Sequence, residues 1–144
     1  MSEYESDSLA IQLNKQVELL SALNIVLEKE LQLISSRNAE ALMQLLDEKK
    51  SLLESIQALD TAIENKMVGS GALPPEEENL VNKAKQLLDD CKYRTQVNQK
   101  AVEQGQLRLS HLRNLMMEVR AKESLTYDKK GKPKGGKLGS GVSA

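Results

Sequence analysis

The residues with the greatest chemical potential in this sequence are one histidine and one cysteine, His111 and Cys91. The surrounding pattern predicts that both lie on one long helix, twenty positions apart. At about 1.5 Å of rise per residue, this spacing separates them by about 30 Å. A metal site or a nucleophile–base pair needs its side chains within bonding distance. We therefore expect His111 on the surface, Cys91 as a small buried side chain, and no metal site.

The acidic residues and the glycines do not indicate catalysis either. The glycines between 131 and 141 follow the last helical segment, without the strand and helix that flank a phosphate-binding loop. Most carboxylates fall among lysines on polar helix faces, where solvation explains them, as at Glu28, Glu30, Glu40, Asp47 and Glu48. We predict that the protein is not an enzyme and uses no cofactor.

The composition indicates a helical protein with a thin aliphatic core. Of the 144 residues, 40% are hydrophobic but only 2% are aromatic, so leucine-rich helix seams must supply the core. The net charge of −1 lacks the sustained basic surface that nucleic acid requires. No apolar run approaches the roughly 20 residues of a membrane span, and the acidic first residues are unlike a secretory signal. With a single cysteine, typical of a reducing compartment, we expect a cytoplasmic protein with no membrane insertion and no nucleic-acid partner.

Apolar residues recur at steps of three and four in the first half of the chain, which predicts two long amphipathic helices. We expect them at about residues 8–34 and 39–67, with Asn38 as the N-cap of the second. The segment 35–38 contains neither Gly nor Pro. The pattern therefore leaves open whether the chain reverses there or only kinks.

A third helix is predicted from about residue 76 to residue 122, after a break rich in Gly and Pro at 69–75. Its apolar positions, which include Leu109, Leu112 and Met116, follow a heptad repeat through Val119, and this is typical of a coiled-coil seam. The predicted fold class is all-α, an elongated antiparallel bundle or coiled coil of three long helices. The helical domain is expected to cover residues 1–125, and a flexible basic tail rich in Gly and Lys to cover residues 126–144.

The middle of the third helix interrupts its apolar repeat with Thr95, Asn98 and Gly105. A buried Asn can fix the register of packed helices. A glycine can instead let a ligand helix approach the backbone closely. Both interpretations of this polar layer remain open from the sequence.

The C-terminal third of that helix carries more apolar residues than one seam uses. Leu107 and Met117 lie off the main stripe, so a simple seam leaves them exposed, and such a surface usually marks a partner site. Adjacent methionines suit a surface that adapts to helical ligands. The residues of this predicted partner-binding site are Leu107, Leu112, Leu115, Met116, Met117 and Val119. The periodicity leaves open that another part of the chain covers this surface, or that the protein forms a homodimer through it.

Three sequence elements resemble the FlgN family of flagellar type III export chaperones. The first is a leucine-rich helix followed by Asn38-Ala39-Glu40-Ala41-Leu42 and Glu48-Lys49-Lys50-Ser51-Leu52-Leu53. The second is the polar stretch Arg94-Thr95-Gln96-Val97-Asn98-Gln99-Lys100. The third, and the most specific, is Leu125-Thr126-Tyr127-Asp128 with Gly131 soon after and Gly135-Gly136-Lys137 in the tail. Together they span nearly the whole chain.

This resemblance implies a protein that binds the C-terminal helical segments of unassembled hook–filament junction proteins, the flagellar hook-associated proteins. It implies delivery of this cargo to the export gate and the export ATPase complex, without catalysis or a cofactor. By the same resemblance, cargo would bind the C-terminal third of the third helix, and Tyr127 would dock at the export gate.

Two other functions fit the sequence pattern. One is a structural coiled-coil scaffold or stalk component of a secretion apparatus, whose apolar stripes would be fully satisfied within the protein or its homodimer. The other is a helical regulator that sequesters another factor.

Overall fold

The computed structural model describes residue 4 and residues 6–129, and within them it contains three helices and no strand. Helix α1 is Leu9–Ser35, α2 is Ala39–Met67 and α3 is Pro75–Lys129. The predicted all-α fold with three long helices is confirmed. The tail predicted from residue 126 lies outside the described residues from residue 130 onward.

The caps explain where α1 and α2 begin. The Ser8 side chain accepts a hydrogen bond from the Ile11 backbone N–H, and the Asn38 side chain accepts one from the Ala41 N–H at 3.1 Å. Each cap satisfies one of the amide groups that have no partner in the first helical turn. The predicted N-cap at Asn38 is confirmed.

The chain reverses between α1 and α2, and a Schellman motif makes the reversal. Arg37 has a φ of 57°, in the left-handed region, and its N–H donates to the Ile34 carbonyl. The Asn38 N–H donates to the Leu33 carbonyl at 3.0 Å, which closes the motif. Asn38 is also the N-cap of α2, so only Ser36, Arg37 and Asn38 connect the two helices.

The hydrogen bonds between helices give their directions. The Lys49 ammonium on α2 pairs with Glu30 near the end of α1, and the Gln16 amide donates to the Ile56 carbonyl. Position numbers rise on α1 as they fall on α2, so these helices are antiparallel. On α3, Cys91 and Asn98 donate to the carbonyls of Leu20 and Leu27 on α1, so α1 and α3 run parallel.

The chain divides into two compact units, residues 1–101 and residues 102–144. The first unit contains the core, which all three helices form. The largest fully buried side chains are Leu27, Leu59, Gln12 and Val26. One cluster of buried residues joins α1 to Cys91 and comprises Leu20, Leu23, Leu27 and Cys91; a second comprises Leu13, Leu59 and Ile63. The buried hydrophobic residues include no aromatic side chain, as the composition indicated.

Helix α3 ends at Lys129, seven residues beyond the predicted end at about residue 122. Residues 122–129 contain no Gly or Pro, and the first glycine after them is Gly131. Loss of apolar periodicity predicts a helix end near residue 122, but a helix can continue beyond its apolar repeat where neither Gly nor Pro opposes it. Tyr127 therefore lies within α3, not beyond it.

Candidate functional site

The second unit presents an apolar surface on α3 that no other described residue covers. From residue 106 to residue 120 every side chain is exposed. The exposed fractions of the large apolar side chains are 68% for Leu107, 54% for Leu109, 53% for Leu112, 43% for Leu115, 54% for Met116, 44% for Met117 and 53% for Val119. All six residues of the predicted partner-binding site belong to this set.

Part of this surface forms a shallow cavity of about 320 Å³. We call it the α3 face, and it is lined by Leu109, Leu112, Arg113, Met116, Met117 and Arg120. These positions recur at steps of three and four and share one side of the helix. Leu107 precedes Leu109 by two positions, or 200° of rotation, and therefore lies on the other side of α3.

Three of the six residues that line the α3 face are not among the residues predicted for the site. They are Leu109, which is a position of the heptad repeat, and the two cations Arg113 and Arg120. The signal was present in the sequence, because Arg113 follows Leu109 by four positions and Arg120 follows Met116 by four. Both arginines lack an ion-pair partner among the described residues. The face therefore combines apolar area with two unpaired cations.

The distinction drawn from the helical wheel, between a buried seam and exposed flanking residues, is wrong in this region. Leu112 and Met116 are seam positions, yet they are as exposed as Met117, which was placed off the seam. A heptad repeat describes one helix, and burial also requires a partner helix. Substitutions at Leu112 and Met116 are consequently expected to leave the stability of the isolated chain nearly unchanged.

Asn98, one residue of the polar layer of α3, holds the helices of the first unit in register. Asn98 is 4% exposed, and its amide donates to the Leu27 carbonyl at 3.0 Å and to Glu30 Oε1 at 2.7 Å. Lys49 Nζ lies 3.1 Å from the other oxygen of the same carboxylate. The Glu30 carboxylate on α1 therefore binds side chains of both α2 and α3. This favours the interpretation that Asn98 fixes the register of the packed helices.

The other two residues of that layer take no part in it. Thr95 is exposed, and its hydroxyl donates to the Cys91 carbonyl of its own helix at 2.8 Å. A side chain added at Gly105 would meet no heavy atom within 4 Å. The open space at Gly105 leaves room for a ligand helix, but nothing in the described residues requires one.

The histidine and the cysteine of α3 lie in different environments. His111 is exposed and Cys91 is buried, as predicted. Burial, together with Asp90, raises the pKa of the Cys91 thiol, while Arg94 acts in the opposite direction. The thiol is therefore kept in its unreactive protonated form. The described residues contain no cluster of His, Cys, Asp or Glu that could hold a metal ion.

Helix α3 contains the one residue for which export-gate docking was predicted. Tyr127 stands in the last helical turn, between Thr126 and Asp128. Along the described part of the chain, no helix is long and apolar enough to cross a membrane.

Comparison with known proteins gives one match. A family model described as FlgN protein matches residues 1–135. Searches of curated proteins and of solved structures each found no match. FlgN is a chaperone family of flagellum biogenesis, and it is not known as a family of enzymes. Because the family model covers most of the chain, the protein belongs to the FlgN family of flagellar export chaperones.

Proposed function

We propose that this protein binds the C-terminal helical segments of unassembled hook–filament junction proteins in the cytosol and delivers them to the type III export gate. The observation that carries the proposal is the α3 face, an uncovered apolar surface on one side of a long helix. An amphipathic helix laid along it would contact residues at spacings of three, four and seven.

The α3 face has enough apolar surface to hold such a helix reversibly. Full burial of a Leu or Met side chain contributes about 1.5–3 kcal/mol relative to exposure. Leu109, Leu112, Met116 and Met117 are each about half exposed, so covering them contributes about 1 kcal/mol each. Part of this gain offsets the entropy lost on association. The result is a releasable complex, which delivery requires.

The remaining predicted residues widen the proposed site beyond the cavity. Leu115 and Val119 border the α3 face, whereas Leu107 lies on the far side of the helix. A cargo that forms two helices, or that wraps around α3, would contact Leu107 as well. The adjacent methionines suit several cargo sequences because their side chains are flexible and polarizable.

The test compares two pairs of exposed apolar residues. The double variant Leu112→Ser/Met116→Ser is expected to weaken binding of a hook–filament junction protein C-terminal segment at least tenfold by titration calorimetry. The control is Met43→Ser/Leu46→Ser on α2, which changes side chains of the same types and similar exposure, 67% and 52%. Neither pair should change the helical circular dichroism signal, because all four side chains are exposed. Equal binding by both variants would contradict the proposal.

A separate variant, Leu107→Ser, reports how far the cargo extends around α3. Reduced binding would indicate that cargo contacts both sides of the helix. Unchanged binding would confine the site to the α3 face.

We also propose that Tyr127 docks the loaded chaperone at the export gate. A tyrosine combines a rigid apolar ring with a polar tip, and the five lysines of residues 128–144 add electrostatic attraction. Tyr127→Ala should leave cargo affinity unchanged and reduce both gate association and cargo secretion, whereas Tyr127→Phe should retain most of the activity. Tyr93→Ala is the matched control, since Tyr93 is a 68% exposed tyrosine on the same helix. Normal gate binding by Tyr127→Ala would refute this role.

A further inference from the structure

The first unit contains an open apolar groove of about 570 Å³ that is separate from the α3 face. Its floor is α1, because the α1 residues that line it are buried. Its walls are α2 and α3, where Leu53 and Leu88 are 46% and 40% exposed. The wall residues are Leu53, Ile56, Gln57, Asp60, Ile63, Glu64 and Met67 of α2, and Val81, Ala84, Lys85 and Leu88 of α3.

One buried polar residue, Gln16, belongs to the floor of the groove. Gln16 is 6% exposed and lines the groove, and its amide nitrogen donates to the Ile56 carbonyl. Its oxygen Oε1 is buried and accepts no hydrogen bond from the described residues.

The dimensions of the groove fit a short amphipathic helix. Along α2 the lining residues extend from Leu53 to Met67, which is about 21 Å of helix. The occupant therefore needs about three to four helical turns, with an apolar side that faces α1. Such a helix would complete a four-helix arrangement around the two buried clusters.

The charges at the two rims of the groove indicate which charges an occupant should carry on its sides. The α2 rim carries Asp60 and Glu64, and neither has an ion-pair partner among the described residues. The α3 rim carries one cation, Lys85. An occupant with cations along one flank, placed toward α2, would match this distribution.

The α3 face has the required length, apolar side and charge. The segment from Leu109 to Arg120 spans about 17 Å of helix. Arg113 and Arg120 are one heptad apart on one side of the apolar stripe of Leu109, Leu112 and Met116. Neither arginine has an ion-pair partner among the described residues. We propose that the groove binds the segment 109–120 of a second copy of this chain. The chain's own residues 130–144 do not fit, since they contain five glycines, a proline and no apolar periodicity.

A pair of copies can satisfy both surfaces by reciprocal exchange. Each copy offers one groove and one α3 face, so a twofold pair covers both grooves and both faces. An arrangement of this kind is closed, because no groove or face remains to add a third copy.

A charge-swap experiment on the full chain, without any cargo, tests the proposal. One variant carries Asp60→Lys and Glu64→Lys, and the other carries Arg113→Glu and Arg120→Glu. Each variant alone brings like charges together at both contacts, and we expect its dimer to be at least tenfold weaker than wild type by sedimentation equilibrium. An equimolar mixture restores opposite charges at both contacts, so it should form a heterodimer of near wild-type affinity.

The matched control reverses two exposed acids of α2 that do not line the groove, Asp47→Lys and Glu48→Lys, and should dimerise like wild type. A fluorescent peptide of residues 106–122 provides a second measurement. It should bind the wild-type chain and bind the Leu88→Glu variant at least tenfold more weakly. A wild-type chain that stays monomeric, or single variants that dimerise normally, would overturn the proposal. Because no cargo is present, either result would leave the proposed chaperone function standing.

Discussion

Replacing Asn98 with Ala tests whether one buried amide holds α3 against α1. The substitution removes the hydrogen bond to the Leu27 carbonyl and the hydrogen bond to the Glu30 carboxylate. Lys49 still pairs with Glu30, so the carboxylate is not left without a cation. The effect of the variant therefore measures the amide and not an orphaned charge.

The expected loss of stability follows from these contacts. A neutral buried hydrogen bond contributes about 1 kcal/mol, and one to a charged group about 1.5–3 kcal/mol. Alanine regains up to about 0.7 kcal/mol because it favours a helix more than asparagine does. The net loss in the free energy of unfolding should be about 2–3 kcal/mol. Thr95→Ala, three positions away, should change stability by less than about 0.5 kcal/mol because Thr95 is exposed.

Urea unfolding followed by circular dichroism at 222 nm measures both variants against the wild type. A lower midpoint with an unchanged slope for Asn98→Ala identifies a change in stability. A double-mutant cycle with Glu30→Ala should give a coupling of about 1–2 kcal/mol between the two side chains. Equal stability of Asn98→Ala and Thr95→Ala would refute the argument that this amide fixes the register.

Two further predictions concern the first unit. Arg37→Gly should raise the free energy of unfolding by up to about 1 kcal/mol. A left-handed residue with a side chain costs about 1–2 kcal/mol, whereas glycine avoids this cost but loses about 0.5–1 kcal/mol of conformational entropy on folding. Arg37→Ala keeps the strain and should not raise the stability, and the midpoints of urea unfolding measure both variants. Because burial raises the pKa of the Cys91 thiol, the fold holds that proton more tightly than the unfolded chain does. Stability should therefore fall as pH rises above about 8.5 and Cys91→Ala should lessen that fall, while iodoacetamide should label the native thiol far more slowly than the urea-unfolded one.

The helices and their caps could be predicted from the sequence because those signals are local. Apolar residues at spacings of three and four predicted α1 and α2, and the residue type of Asn38 predicted the N-cap of α2. The reversal before Asn38 could not be predicted, because the left-handed position is occupied by Arg37 rather than glycine. The positive φ of Arg37 and the hydrogen bonds to the Leu33 and Ile34 carbonyls show that the backbone turns there.

The apolar character of the candidate site could also be predicted from the sequence, but whether the site is buried or exposed could not. The heptad of α3 continues from Cys91, which is buried, to Met116, which is exposed, without any change in the pattern. Periodicity fixes which residues share a side of a helix, whereas burial depends on what packs against that side. The groove above α1 was missed for the same reason, since it depends on the spacing between α2 and α3.

The two proposals meet at the α3 face, because cargo and a second copy would use the same residues. An exposed apolar helix face promotes nonspecific association. A chaperone without cargo would therefore benefit if another surface bound this face weakly and specifically. The groove of a second copy would be such a surface, with Asp60 and Glu64 opposite Arg113 and Arg120. A cargo helix that lacks such basic residues would gain nothing from this acidic rim, and it would bind the α3 face through apolar contacts alone. Cargo should then dissociate the dimer into one-to-one complexes, and raised salt should favour this exchange by screening the dimer contacts more than the apolar cargo contacts.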